Sequence, residues 1–215
     1  FFSNTKNNIN QTRTLGISKS NVKFVNEHIV NIENILWKLN KIEIFTDQLK
    51  QEKLLNFEDN KNQLFSIIKN HQFCSLLEKK LLKKKNFKTK SYNKKDLSLA
   101  QKYELIINCD IKNNITKKFF SKNIQKKYNS FAYTTIVKHE NIPNDTAIQI
   151  FTNKGPLAFL PISKNETSIV YSVNDLMGKK INIEKLIKEY NFKYKINKIE
   201  KIDVFELKSL NLRSY

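Results

Sequence analysis

Few residues in this chain could do chemistry by type and spacing. The histidines His28, His71 and His139 stand far from each other and from Cys74 and Cys109, without the short spacings of metal ligands, so no metal is expected. No nucleophile triad and no paired-carboxylate pattern can be assembled. His139, in an alternating strand, reads as a partly buried structural histidine. A different set stands out. Arg13 is one of only two arginines, the other being Arg213, and arginine is the side chain favoured for phosphate recognition. Asp110 lies in "NCDIKNN", directly after the apolar run "YELIIN" (103–108), and the end of a buried α/β strand favours ligand-binding loops. Gly155, Pro156 and Pro161 crowd into seven residues of a chain that has 3 Gly and 3 Pro. They bracket Leu157-Ala158-Phe159-Leu160, as expected if proline marks the start and end of a strand, where a missing N–H is tolerated. Such residues suit binding and orientation.

The elements that must position them follow from periodicity. Residues 1–12 are polar and asparagine-rich and read as loop. Ser18 or Ser20 caps a helix carrying Val22, Val25 and Ile29. "KIEIF" (41–45) alternates as a strand, "LLNF" (54–57) pairs with it, and "LFSIIK" (64–69) is a further β-run. Phe73, Leu76, Leu77 and Leu81 share one face of a helix that ends in Lys83-Lys84-Lys85, a solvated C-terminus favourable for cations. Residues 86–102 read as polar linker, and 103–108 as a buried strand. After residue 130 the runs 130–140, 146–152, 157–162 and 167–174, separated by "NIPND", "NKGP" and "SKNE", predict an antiparallel meander. A helix over 182–191, capped by Asn182, and a final strand over 198–207 close the chain.

Composition bounds the partners. Apolar residues make up 40% of the 215, enough for a folded core. The formal charge of +19 comes from 37 lysines and only 2 arginines. Nucleic acid is disfavoured, because arginine carries most bidentate base and phosphate recognition. Lysine together with 29 asparagines reflects A/T-rich codons, so most of the charge reads as coding bias, although a lysine-rich surface still favours anionic lipid head groups. Two cysteines without metal spacing or a leader fit a reduced, cytoplasmic compartment.

"FTNKGPLAFLPISKNETSIVYSV" resembles a segment of the FAD-dependent aromatic hydroxylases of ubiquinone biosynthesis, of the 2-octaprenyl-6-methoxyphenol hydroxylase type on the p-hydroxybenzoate hydroxylase fold. That segment runs roughly F-T-P-x-G-P-L-A-L-L-P and then S-L-V-W-S. Upstream, "YTTIVKHENIPNDTAIQIF" is similar to the family's V-x-H-x-x-P pattern through His139 and Pro143. "RTLGISKSNVKFV", "FSIIKNHQFCSLLEKKL", "ELIINCDIKNN" and "FELKSLNLRSY" follow in the family's order. The resemblance departs in the middle motif, where Asn108 and Ile111 replace glycines beside the retained Asp110, and where Lys69-Asn70-His71 stands for E-N-R. The Gly-rich dinucleotide fingerprint and the later flavin motif lie outside these 215 residues, so the chain reads as a central fragment that does not retain FAD by itself.

The resemblance implies an α+β (α/β) fold: an incomplete FAD-binding Rossmann-like part over 1–118, an antiparallel-sheet substrate domain over 119–207, and a return segment over 208–215. It places Arg13, Asn70 and Asp110 at FAD, and Gly155, Pro156, Leu157, Ala158 and Phe159 in the substrate pocket as a roof over the ring. The implied reaction is ring hydroxylation of a polyprenyl phenol through a peroxyflavin, with NAD(P)H as reductant. Implied partners are the aromatic polyprenyl substrate, a peripheral membrane surface on the inner membrane, and other ubiquinone-biosynthesis proteins. Two readings of other classes stay open: a basic binding module for RNA or anionic surfaces, and a degenerate, inactive remnant of the flavoprotein.

Overall fold

The alternating runs after residue 130 do become strands, but their order in the sheet is not the order of the chain. The structure, a computed structural model, describes residues 2–3, 10–47, 52–59, 63–91, 103–109, 114–119, 123–174 and 181–212. Its elements are β1 (Phe2–Ser3), β2 (Thr14–Ser18), α1 (Lys19–His28), a 3₁₀ turn (Glu33–Ile35), β3 (Leu36–Leu39), β4 (Lys41–Thr46), β5 (Lys53–Glu58), β6 (Phe65–Lys69) and α2 (Asn70–Leu82). Then come β7 (Lys90–Ser91), α3 (Asn114–Phe119), β8 (Asn123–His139), β9 (Thr146–Thr152), β10 (Gly155–Pro161), β11 (Glu166–Asn174), α4 (Ile183–Tyr190), β12 (Ile196–Ile199) and β13 (Asp203–Leu212). The chain divides into two compact units, one of residues 1–8, 81–128 and 208–215, the other of 9–80 and 129–207.

The larger unit is layered around an eight-stranded sheet of order β12-β8-β11-β10-β9-β4-β5, with β13 also paired to β8. β9, β10 and β11 form the expected antiparallel hairpins. β8 does not join β9, as a simple meander requires. It pairs with β11 on the far side, Val170 opposite Thr134, so the 140–145 connection crosses the end of two intervening strands. The turn at Asn153-Lys154 is tight enough to enforce adjacency, whereas the six-residue connection has an anchor of its own. Asn144 is 2% exposed. Its Nδ2 donates to Ser163 O at 2.8 Å and Thr167 Oγ1 at 3.1 Å, its Oδ1 accepts from Tyr194 OH at 3.0 Å, and its carbonyl accepts from Trp37 Nε1 at 2.6 Å. The Thr167 hydroxyl lies 3.0 Å from His139 Nε2, and His139 Nδ1 lies 2.8 Å from the Glu140 carbonyl, which can only accept. Both His139 nitrogens are thus occupied within the fold, as suits a structural side chain.

Strand alternation gives this sheet two faces. One carries Phe45, Val137, Ile148, Ile150, Leu157, Phe159, Ile169 and Tyr171, and packs against Ile183 and Ile187 of α4. Asn182 caps α4 by accepting from Lys185 N at 2.9 Å. The other face carries Ile136 and Ala147, which meet Leu39 and Ile67 of a second, three-stranded sheet of order β2-β6-β3. Beyond that small sheet, Val22 and Val25 of α1 and Phe73, Leu76 and Leu77 of α2 close the last layer. Ser18 caps α1, accepting from Asn21 N at 3.3 Å, and β4 and β5 pair antiparallel, both as expected. β4 also lies parallel to β9, which carries the large sheet into the first third of the chain.

In the smaller unit β1 pairs in parallel with β7. The run 103–108 is not the buried strand expected from its composition. Residues 103–109 form no strand, and Leu105 and Ile107 are 77% and 80% exposed. An apolar run becomes a strand only where a neighbour completes its ladder, and none does so here among the described residues. The expected final strand, 198–207, is two strands, β12 and β13.

Burial of Tyr194 in the Asn144 network pushes its hydroxyl pKa up to about 12. Free tyrosine ionises near 10, so between roughly pH 10 and 12 the folded chain keeps a proton that the unfolded chain has lost. The stabilisation is complete below that window and declines as pH rises through it, by at most about 3 kcal/mol. Urea unfolding at about pH 9.5 and 11.5 checks this: Tyr194→Phe is expected to lose about 1.5–2 kcal/mol less than the parent across that range.

Candidate functional site

The face of the large sheet opposite α4 is only half covered by the small sheet, and its open half is the candidate site. Register places Ala158, Val170 and Thr134 in one row across β10, β11 and β8. The next row holds Pro156, Ser172 and Ala132, with Phe151 beside Pro156 on β9. Pro156, Ala158, Val170 and Ser172 are half-buried and Phe151 is 45% exposed. Small side chains flanked by Phe151 and Val170 make a shallow, uncharged apolar floor, the kind of surface on which a planar ring can lie.

Gly155 makes this floor possible. Its φ is +138°, and a Cβ there would meet the Ser172 carbonyl oxygen at 2.0 Å. Only glycine lets the β10 backbone approach β11 so closely at the start of the strand. Thr152 at the other side of the turn donates to the Gly155 carbonyl at 2.7 Å. The five residues expected at a pocket are therefore divided by alternation. Pro156 and Ala158 point to the open face and Gly155 makes the turn. Leu157 and Phe159, 0% and 2% exposed, point into the core under α4.

Arg13 and Asn70 come together at the margin of the same face. The Arg13 carbonyl accepts from Asn70 N at 3.0 Å, where β2 begins and β6 runs into α2. The Arg13 side chain is exposed and Asn70 is half-buried. The turn that presents Arg13 is built by Asn10, whose Oδ1 accepts from Thr12 N at 2.9 Å and Arg13 N at 3.0 Å. Asn10 Nδ2 and the Thr12 hydroxyl donate to Asp203 Oδ2 at 2.8 and 2.9 Å. Burial pushes the Asp203 carboxyl up, but these hydrogen bonds and the Lys201 charge outweigh it and hold the pKa below the usual value. Thr12 Oγ1 lies 3.0 Å from Thr134 Oγ1, so the turn rests at the end of the row that begins with Ala158, two strand spacings or roughly 10 Å away. Lys69, beside Asn70, pairs with Glu166 at 2.7 Å. Asp110 lies outside the described residues.

Asn10, Asp203 and Ser172 are the parts that sequence reasoning missed. Asn10 looks like any other residue of an asparagine-rich tract, and nothing local marks Asp203 as its partner 193 positions away. The assembled site has an apolar floor and a cationic margin, with no general acid, base or nucleophile on the floor itself. No group of His, Cys, Asp and Glu among the described residues could hold a metal ion.

No protein-family model matches the chain, and no curated protein matches it in sequence. Solved structures do match. The chain is similar to the tetracycline destructase Tet(51) with TM-score 0.56 and 10% identity, over 99% of this chain and 64% of that one. It is similar to PqsL of Pseudomonas aeruginosa, described as a probable FAD-dependent monooxygenase, with TM-score 0.63 and 11% identity over 87% and 58% of the two chains. It is also similar to HpxO of Klebsiella pneumoniae, solved with FAD and uric acid, with TM-score 0.59 and 8% identity over 87% and 53%. The chain thus shares the fold of FAD-dependent monooxygenases at low identity, and spans about half to two-thirds of the length of these structures.

The close approach at Gly155 has a measurable consequence. Gly155→Ala is expected to destabilise the fold by about 2–4 kcal/mol, seen as a lower urea midpoint at unchanged slope. Gly16→Ala, where the nearest atoms to a new Cβ are Phe65 carbons at 3.7 Å, should stay within about 1 kcal/mol of the parent.

Proposed function

We propose that this chain supplies the ring-facing sheet and one margin of the cofactor site of an FAD-dependent monooxygenase that hydroxylates an electron-rich aromatic ring. The observation that carries the reading is the open, uncharged floor of Pro156, Ala158, Val170 and Ser172 with Arg13 at its edge, on a fold shared with FAD-dependent monooxygenases. Arg13 and Asn70 fit one end of a dinucleotide: their backbones are joined by a hydrogen bond, the Asn10 turn presents Arg13, the Arg13 side chain is exposed and Asn70 is half-buried. Asp110 belongs to the same proposed set. FAD, reduced by NAD(P)H, would supply the oxygen-transfer chemistry.

The chain's own part is binding and orientation. The floor holds the ring flat and displaces water from it, while Phe151 limits where the ring can slide. We assign the substrate to polyprenylated phenols of ubiquinone biosynthesis, on the likeness of the GPLA segment and of the V-x-H-x-x-P run. Because the floor lacks a charged group to bind a carboxylate, a neutral ring with an apolar tail suits it better than an acidic one.

Two titrations on the isolated chain test the reading: FAD followed by flavin fluorescence, and a geranylated phenol followed by calorimetry. Weak binding of both is expected. Arg13→Ala should weaken FAD by about tenfold, the worth of one charge-assisted hydrogen bond. Ala158→Glu, which sets a carboxylate on the floor, should weaken the phenol by at least about tenfold and leave FAD little changed. A phenol that binds the Ala158→Glu variant as well as the parent would remove the floor from the proposal.

A further inference from the structure

The two compact units carry very different charge. Residues 1–8, 81–128 and 208–215 hold 17 lysines and arginines against 3 acids, a formal +14 in 64 residues. The other 151 residues hold 22 against 17, or +5. Coding bias acts along a whole chain, and alone it would not gather 14 of 19 charges into under a third of the length. The pair of phosphates in a dinucleotide calls for far fewer cations than this.

The same unit exposes large apolar side chains among its lysines. Leu81 and Leu82, at the end of α2, are 45% and 61% exposed and are followed directly by the exposed Lys83, Lys84 and Lys85. Phe119, 57% exposed, has Lys118 Nζ 5.3 Å from its ring centre, and Tyr128, 49% exposed, has Lys126 Nζ at 5.5 Å. Ile124 is 50% exposed. Lysine with exposed leucine, isoleucine and aromatic rings is the composition of a surface that lies at a charged bilayer interface, apolar groups among the acyl chains and ammonium groups at the phosphates. Nucleic acid would use the charge and the rings but leave the aliphatic side chains without a partner.

We propose that this unit docks on an anionic lipid bilayer, with Leu81, Leu82 and Lys83-Lys84-Lys85 at the contact. The attachment is interfacial, and no helix among the described residues is long and apolar enough to cross a membrane. It is independent of whether the sheet face in the other unit binds a ring.

The test is sedimentation of the intact chain with phosphatidylcholine vesicles, pure or containing about a third phosphatidylglycerol. Binding is expected only to the anionic vesicles and should fall with salt. The triple change Lys83→Gln, Lys84→Gln, Lys85→Gln should reduce partitioning about a hundredfold, roughly fivefold for each lysine near the surface. Leu82→Asn should weaken binding at low and high salt alike, and unfolding monitored by circular dichroism must be unchanged in both variants. Equal binding to pure phosphatidylcholine, or none to either vesicle, overturns the proposal. So does binding to a single-stranded oligonucleotide that matches vesicle affinity and ignores Leu82→Asn, which would assign the surface to nucleic acid.

Discussion

The side chain of Asn144 holds the larger unit in register with itself. It is buried and reaches the β10–β11 turn through Ser163, β11 through Thr167 and the segment before β12 through Tyr194, while the main-chain carbonyl of the same residue accepts from Trp37 of β3. A buried amide left without partners costs about 1–3 kcal/mol for each lost bond, so the crossing of 140–145 over the sheet end is fixed by what Asn144 must satisfy. That crossing puts β8 beside β11 instead of β9. With β8 there, Thr134 and Ala132 continue the rows begun by Ala158 and Pro156 as buried positions, and Thr134 meets the Thr12 hydroxyl of the turn that presents Arg13. A polar network at one end of the sheet thereby sets which strand borders the open face and where the Arg13 turn rests on it.

Gly155 applies a second constraint from the opposite end of β10. Its backbone sits where a side chain would overlap the Ser172 carbonyl, so β10 starts tight against β11 and its alternation is locked. Leu157 and Phe159 are committed to the core, where Phe159 stacks on Tyr194 with ring centres 6.0 Å apart, and Pro156 and Ala158 are committed to the open side. A slip of one residue would exchange the two sets and bury the floor. The same run that carries the family-like GPLA letters therefore does two jobs with alternate residues.

What the sequence made legible follows from the range of each force. β4, β5, β6, α1, α2 and α4 were readable because caps and periodicity act within a few residues; Ser18 and Asn182 cap their helices as their types suggest. The order of strands was not, because it depends on Asn144 meeting Thr167 and Tyr194 from distant parts of the chain. The run 103–108 misled because composition reports apolarity, while a strand also needs a neighbour. For the site, proline and glycine pointed to β10, and the scarcity of arginine pointed to Arg13. Which side of the sheet each residue of 155–159 would face needed the register, and the Asn10–Asp203 link that presents Arg13 had no local signature at all.

Charge completes the division of labour between the units. In the larger one, acids are placed to meet lysines: Glu43 lies 2.6 Å from Lys53 and 3.2 Å from Lys41, Glu166 lies 2.7 Å from Lys69, and Glu200 lies 3.2 Å from Lys138. Burial pushes the Glu43 carboxyl up, yet hydrogen bonds from Lys53 and Lys41 outweigh it and hold the pKa below its usual value. These pairs, part-buried at Glu43 and Glu166 and more exposed at Glu200, leave the unit close to neutral. The smaller unit has only 3 acids among 64 residues to do the same, and its field remains strongly positive. A neutral apolar floor in one unit and a large excess of positive charge in the other are two outcomes of one rule, the placement of 20 acids among 39 bases.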